Sequence, residues 1–462
     1  MNNTCAVILA AGEGKRLKSS KPKAVCEILF KPMLSYVLDA VKEAGVKRIC
    51  VVCGYGREYI EEILPEGVET AFQEERKGTA HALLCAEEFI KGSGCQNVFA
   101  LNADAPFISS DDLIGALERH KLTESQMTII SAVSARSNSH GKILRDHGIF
   151  RGIIDDSLAS SQQKQLTEVN TGCYVFDKEF ILDYAKALVS KPTNEEKKLR
   201  EISSLGLIDG KTVVPYKSKN SHIALGANTR SELYEIEKIA RESVIEELMD
   251  CGVSFPCTDG VIIGKDVTIE KDAVIYPGVI IKGKSHIGEG SLLTTGTIIE
   301  DSFIGKNCQI KSSLIEKSSV GDGVKIGPYS HLRPDSSLAD SVKVGNFVEI
   351  KNSSIGEKSS IAHLSYIGDT DMGGHVNVGC STSTANYDGF RKFRTEIGDD
   401  CFIGCHTSLI APVSLGKGAF TAAGSVITKN IPDGSLGVSR AKQETKEGWA
   451  DRYNERNKAY KK

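Results

Sequence analysis

Apolar positions along the chain follow three successive periods. Up to about residue 229, strand-like runs alternate with helix-patterned stretches: CAVILAAG, PMLSYVLDAVKEAG, RICVVCGYG, GTAHALLCAEEFI and NVFALNADAP. This alternation predicts βαβ units and a mostly parallel sheet with helices on both faces, binding ligands at the carboxyl ends of its strands. Over TRSELYEIEKIARESVIEELMD the period turns helical. Leu233, Ile236, Ile239, Val244 and Leu248 share a stripe behind a Thr229/Glu232 capping box, and Gly252 and Pro256 close the helix. Past residue 260, Ile263, Ile269, Ile275, Ile281, Ile287, Leu293 and Ile299 recur every sixth position. After a slip the register returns as Ile326, Leu332, Leu338, Val344 and Ile350, then Ile355, Ile361 and Ile367, then Ile397, Ile403, Leu409 and Leu415. Gly, Asp, Asn and Lys fill the turns, the mark of a β-solenoid in which every sixth residue enters a thin continuous core. The expected organisation is an α/β domain over 1–229, a connecting helix over 230–250, a solenoid over 251–435 and a tail over 436–462. Flat outer faces on a three-sided coil predict side-by-side association, as a homotrimer.

Composition narrows the function classes. A chain of 462 residues exceeds what one core organises, and 40% hydrophobic with 25% charged residues is the balance of a soluble globular protein. The formal net charge of -3 gives no global attraction to nucleic acid or anionic membrane, so any anion site must be local. The opening run MNNTCAVILAAG lacks a basic start and is too short for a signal-peptide core, and no stretch reaches the ~20 apolar residues of a membrane span, so a cytoplasmic location is expected. Thirteen scattered cysteines suit reduced thiols. Cys50 and Cys53 form a C-x-x-C, but within a strand they face opposite sides and read as buried small hydrophobes rather than a zinc or redox pair. The tail carries the only tryptophan, Trp449, either docked on a neighbouring subunit or solvated.

Two regions carry chemistry. LAAGEGKRLKSSKPK places Ala10, Ala11, Gly12 and Gly14 where backbone N–H groups can approach an anion, with Lys15, Arg16, Lys18, Lys21 and Lys23 supplying charge. Phosphates suit this loop, although its spacing matches neither the P-loop nor the dinucleotide fingerprint, and a solvated basic loop is the alternative. Asp104 ends the predicted strand run NVFALNADAP at the sheet's carboxyl edge, placed to share a divalent ion with phosphates or to cap a turn before Pro106. The later solenoid interrupts its repeat with PYSHLRPDSSL, NFVEIKNSS, AHLSYIGD and TANYDGFRKFRTEIGDD. These segments concentrate Arg333, Lys351, His363, Tyr366, Asn377, Asn386, Tyr387 and Lys392, which stacked coils can gather into one cleft.

The loop LAAGEGKRLKSSKPK resembles the signature of sugar-1-phosphate nucleotidylyltransferases. With QEERKGTAHAL, NADAP, EVNTG and the hexapeptide repeats, the chain resembles nearly end to end the family of bifunctional N-acetylglucosamine-1-phosphate uridyltransferases / glucosamine-1-phosphate N-acetyltransferases. That resemblance implies a Rossmann-like nucleotidyltransferase domain joined by a helix to a left-handed parallel β-helix. It also implies UDP-N-acetylglucosamine synthesis for cell-wall and lipopolysaccharide precursors from small-molecule substrates: UTP, acetyl-CoA and the two sugar phosphates. Leu9, Ala10, Ala11 and Gly12 would line the nucleotide, Arg16 and Lys23 would act on its phosphates, and Gln73, Gly78 and Thr79 would read the uracil. Asn102 and Ala103 precede Asp104, which with Asn228 would hold Mg²⁺; Gly141, Asp155 and Asn170 fall at the sugar. In the second site Arg333, Lys351 and Lys392 would bind the sugar phosphate, Tyr366 and Asn377 the sugar, and His363 would be the base. Cys380, Asn386, Tyr387, Cys405, Ala423 and Arg440 would contact acetyl-CoA.

Departures from the family pattern bear on both sites. Asp155 stands in place of Glu, one methylene shorter, and Asn102 and Ala103 replace an aromatic and a glycine, so that the Ala103 methyl could crowd a ligand. Cys380 and Ser381 replace Ala and Gly, and Cys405 replaces Ser; Ser381 would add a hydroxymethyl where CoA lies. The cysteines read as packing or as a thiol-sensitive patch. Two alternatives stay open: a nucleotidylyltransferase with a regulatory or inactive solenoid, and a solenoid that serves assembly alone.

Overall fold

The computed structural model describes residues 1, 3–134, 141–192 and 196–460. Two compact units make up the chain, Met1–Ser243 and Val244–Lys462. The division falls within a helix spanning Arg230–Asp250, so the first unit continues past residue 229.

The first unit is built on seven main strands: β1 (Thr4–Leu9), β2 (Arg48–Cys53), β3 (Glu69–Phe72), β4 (Asn97–Asn102), β5 (Met127–Val133), β6 (Glu168–Asp177) and β7 (Val213–Lys217). Their order is β7-β5-β6-β4-β1-β2-β3. Most neighbours are parallel, as the alternation predicts, but β6 runs antiparallel to both β4 and β5. It is entered from an antiparallel hairpin, Lys142–Asp146 and Ile149–Ile154, rather than from a crossover helix, which removes the need for parallel pairing. Two apolar clusters cover the two faces: Ala6 and Ile8 of β1 belong to one, Cys5, Val7 and Leu9 to the other. Cys50 and Cys53 likewise fall in opposite clusters. Burial pushes their thiols up to about 12 and about 11, so both stay protonated and pack as hydrophobes.

The second unit is a parallel β-helix. Ile263, Ile281, Ile299, Ile315, Leu332, Ile350 and Ile367 stack in one continuous inward column. The slip in the six-residue register is not an interruption. Ile281 pairs with Ile299, eighteen residues on, whereas Ile299 pairs with Ile315, only sixteen on. Sides of five residues keep Ile304, Ile310, Ile315 and Val320 fully buried. The last rung, Leu436–Gly437 on Phe420–Thr421, lies just past the expected boundary at 435. A short helix, Trp449–Arg456, follows with no residue buried, Trp449 stacking on Tyr453 with ring centroids 4.9 Å apart. Among the described residues no helix is long and apolar enough to cross a membrane.

Each inward isoleucine is buried in a thin core one coil deep, stacked on the coils above and below it. Ile310→Ala should therefore cost about 2–5 kcal/mol, measured as a lower denaturant midpoint for the second unit. An unchanged midpoint would contradict a dry, single-file core.

Candidate active sites

The first site forms where β1 and β4 end side by side, Leu9 level with Asn102. The chain leaves β1 through Ala10 and turns at Gly14, whose backbone is left-handed with φ 69°. A Cβ at Gly14 would sit 2.9 Å from the Lys23 Cβ, so the loop can fold onto Lys23 only with glycine there. Leu17 anchors the loop in the core, and its carbonyl accepts from Arg230 Nε at 3.0 Å. Lys23 then reaches across: its ammonium binds the Asp104 carboxylate and lies 3.0 Å from Asn228 Oδ1. Asn228 is fixed by the capping box, because Glu232 Oε2 accepts from the backbone N–H of both Asn228 (2.7 Å) and Thr229 (3.0 Å) while Thr229 Oγ1 accepts from Glu232 N–H.

These groups line a cavity of about 860 Å³, within the usual range of small-molecule sites. Leu9, Ala10, Ala11, Gly12, Arg16, Lys23, Gln73, Gly78, Thr79, Asn102, Ala103, Asp104, Gly141, Asn170 and Asn228 all border it. On one wall Gln73 is buried and donates to the Gly78 carbonyl at 3.2 Å and to His81 Nδ1 at 2.9 Å. Gly78 has φ 103°, and a Cβ there would fall 2.4 Å from the Lys197 carbonyl oxygen. Thr79 Oγ1 accepts from Leu199 N–H at 2.9 Å. On the opposite wall Asn170 donates through Nδ2 to the Tyr174 hydroxyl at 2.9 Å and through its backbone to Gly141 O at 2.8 Å. Ala103 packs into the core cluster with little surface left to crowd a ligand.

Asp155 does not border the cavity, and neither do Lys18 and Lys21 of the basic loop. The Asp155 carboxylate is taken by Arg200, and Arg200 presents the lining surface instead. Six cationic side chains border the cavity against three carboxylates: Lys15, Arg16, Lys23, Arg76, Lys198 and Arg200 against Glu13, Asp104 and Glu196. The interior is therefore suited to a polyanion. Among the described residues no three His, Cys, Asp or Glu side chains cluster as a metal cage. Asp104 and Asn228 nevertheless converge on one cation, the Lys23 ammonium. Hard oxygen donors in this small number fit Mg²⁺, which takes its remaining ligands from water and phosphate.

The second site is assembled by coil register. Asn346 pairs with His363, and Ile361 and Tyr366 pair with Val378 and Ser383 on the next coil. Val378 and Ser383 pair in turn with Ile403 and Ser408, and these with Thr421 and Val426. Because these offsets agree on both sides of the corner, Asn346, His363, Cys380, Cys405 and Ala423 occupy one ridge on successive coils. His363 Nδ1 lies 3.1 Å from Asn346 Oδ1. An amide oxygen only accepts, so Nδ1 carries the proton and Nε2 is left with its lone pair. Arg440 donates to the Ala423 carbonyl at 2.8 Å. Ser381 sits in left-handed backbone with φ 62°, as do its corner-mates Phe347, Leu364 and His406, so the fold accepts a side chain where glycine was expected.

Beyond that corner Arg333 and Lys351 stand on adjacent coils, Arg333 also pairing with Glu349 at 2.9 Å. The Lys392 ammonium, and behind it Arg333, hold the Lys351 amine below the ordinary lysine range, a concentration of positive charge that a phosphate would relieve. Tyr366 shares this face, level with Glu349. Asn386 is buried and donates to Asp369, a buried carboxylate that also accepts from Asn352. Tyr387 is exposed, its hydroxyl donating to Gly389 O at 2.6 Å. Asn377 is not gathered with this group: it lies before the corner, level with Ser360 and Phe402.

Comparison with known proteins agrees with this division. A nucleotidyl transferase family matches residues 5–222, and a bacterial transferase hexapeptide family of six repeats matches 317–352 and 394–429. The "Bifunctional protein GlmU" of Halalkalibacterium halodurans is 39% identical over 455 residues, spanning 98% of this chain and 100% of that protein. That of Caldanaerobacter subterraneus subsp. tengcongensis is 40% identical over 452 residues, covering 98% of both chains. The chain belongs to the GlmU family. Clostridium botulinum has a member 38% identical over 455 residues, covering 97% of this chain and 98% of that one.

Several groups at the two GlmU-type sites escape reading along the sequence. Arg76, Lys198 and Arg200 reach the first cavity because residues 196–200 are zipped to Lys77–Ala80 by backbone bonds, Lys197 N–H to Lys77 O and Ala80 N–H to Lys197 O, both 2.9 Å. Asn346 and Asp369 act on His363 and Asn386 from neighbouring coils. Only the composition of QEERKG, already singled out for its glycine, could have pointed to Arg76.

Asn346 offers a direct test of the tautomer. In Asn346→Asp a carboxylate would stabilise the imidazolium of His363 and raise its pKa, so the acid limb of the acetyl-transfer pH profile should move to higher pH. An unmoved limb, with rate simply scaled, would show that Asn346 does not orient His363.

Proposed function

We propose that this GlmU-family chain runs its two reactions at the two sites described, acetylating glucosamine-1-phosphate on the β-helix and uridylating N-acetylglucosamine-1-phosphate in the first unit. The observation that carries the second assignment is the cation-rich cavity at the ends of β1 and β4, with Lys23 held against Asp104 and Asn228. In uridylyl transfer a phosphate oxygen of the sugar phosphate attacks the α-phosphorus of UTP in line, and pyrophosphate leaves. Arg16 and Lys23 hold the phosphates, Gln73, Gly78 and Thr79 enclose the base, and Gly141 and Asn170 border the sugar; Asp155 supports that end through Arg200. Positioning and charge neutralisation supply the catalysis, and no covalent residue is needed. Mg²⁺, when bound through Asp104 and Asn228, would supply further neutralisation of the triphosphate.

In acetyl transfer the amine of glucosamine-1-phosphate attacks the thioester carbonyl and the CoA thiol leaves. His363 Nε2 accepts the amine's proton, its tautomer held by Asn346. Arg333, Lys351 and Lys392 take the sugar phosphate, Tyr366 and Asn377 the sugar. Asn386, Tyr387 and Arg440 take the cofactor, together with the ridge through Cys380, Cys405 and Ala423. Asn377 stands on the face before the corner and the cations on the face after it, so a cleft containing both is completed most simply by a second copy. This supports the homotrimer, and the cytoplasm is the compartment that supplies these substrates.

Variants of the full chain separate the two sites. His363→Ala should abolish acetyl-CoA-dependent thiol release and leave UTP-dependent pyrophosphate release intact, and Lys23→Ala should do the reverse. If His363→Ala leaves both activities untouched, the β-helix is an assembly or regulatory module, as the monofunctional alternative requires.

A further inference from the structure

We infer that Cys380 and Cys405 form an oxidisable dithiol, a modification site whose closure into a disulfide stops acetyl transfer while uridylyl transfer continues. The inference rests on the placement of acetyl-CoA along the ridge proposed above.

The register supports the pairing directly. Val378 pairs with Ile403 and Ser383 with Ser408, so Cys380 is level with Cys405. Backbone bonds on both sides of the pair keep it there: Gly379 N–H to Ile403 O at 2.8 Å and His406 N–H to Cys380 O at 2.7 Å. Successive parallel strands lie ~4.8 Å apart, inside the Cα separation that a disulfide spans. Both side chains precede a left-handed corner residue, Ser381 at φ 62° and His406 at φ 57°, so they leave the coil at the same point. Cys405 is exposed and Cys380 partly so, whereas eight of the thirteen cysteines are buried. Of the others that reach solvent, Cys85 lies in the first unit, and Cys251 and Cys257 precede the first full coil. Cys308 and Cys401 spend their thiols on carbonyls at 3.1 Å. The Cys380 thiol lies 3.5 Å from the Ser381 hydroxyl.

The chemistry balances with hydrogen peroxide as oxidant. One thiolate attacks the peroxide O–O bond, forming a sulfenic acid and releasing hydroxide. The second thiol then attacks that sulfur, the S–S bond forms and water leaves. A dithiol reductant reverses the step. The bridge would span two coils between His363 on one side and Ala423 on the other, across the edge on which the thioester must lie.

The test uses the full-length chain, treated with hydrogen peroxide and quenched. A peptide joining Cys380 to Cys405, lighter by two hydrogens, should appear by mass spectrometry. Acetyl transfer should be lost and restored by dithiothreitol, with pyrophosphate release unchanged throughout. Cys405→Ser and Cys380→Ala, whatever their own rates, should neither cross-link nor lose acetyl transfer to peroxide. Absence of the cross-link while Cys251 or Cys257 is oxidised would overturn the pair, as would peroxide inactivation persisting in both variants. A cross-link that leaves acetyl transfer unchanged would instead overturn the placement of acetyl-CoA on this ridge, and with it the switch.

Discussion

In a parallel ladder each strand bonds to its neighbour at a fixed offset, and an offset set by one buried apolar pair is inherited by every outward residue on the same rung. Both units of this chain use that inheritance to place chemistry. In the first, the register of β1 on β4 brings Leu9 level with Asn102, so the basic loop after β1 and the segment holding Asp104 open into the same cavity. In the second, the stack running through Val344, Ile361, Val378, Ile403 and Thr421 carries the outward ridge of Asn346, His363, Cys380, Cys405 and Ala423 with it. A one-residue slip in any of these coils would exchange inward and outward positions and scatter the ridge.

Charge is handled differently at the two sites. In the first unit, Lys23 is matched by Asp104 and Asn228, so part of the cavity's positive charge is already balanced within the protein. A polyanion entering there competes for a lysine that has partners. In the second unit Lys351 and Lys392 have each other as neighbours, with Arg333 behind, and Glu349 and Asp369 offset the three in part. Crowding of like charge holds the Lys351 amine below its ordinary range, a repulsion that a bound anion would relieve.

Much of this was legible in the sequence where a signal is local or periodic. The six-residue spacing identified the inward column, the Thr229/Glu232 pair identified the start of the connecting helix, and the strand context of Cys50 and Cys53 placed them on opposite faces. The loop from Leu9 to Lys23 declared itself by composition. What could not be read depends on contacts distant in sequence. Arg200 enters the cavity because Lys197 pairs through its backbone with Lys77, 120 residues away, and in doing so Arg200 takes the Asp155 carboxylate. Asn346 and Asp369 each meet a partner seventeen residues on, one short of three six-residue sides, an offset that a strict six-residue rule does not give. The antiparallel course of β6 was hidden for a similar reason, since a hairpin and a crossover helix leave much the same apolar run behind them.

The opening turn of the long helix has a bearing on where the catalytic domain ends. Arg230 ties down the Leu17 carbonyl, and Glu232 holds the backbone of Asn228, so two side chains beyond the α/β pattern keep the basic loop and the Lys23 partner Asn228 in place. A fragment trimmed at residue 229 would retain every strand and most of the pocket lining yet lose both braces, and weak turnover by such a piece would report the cut rather than the enzyme.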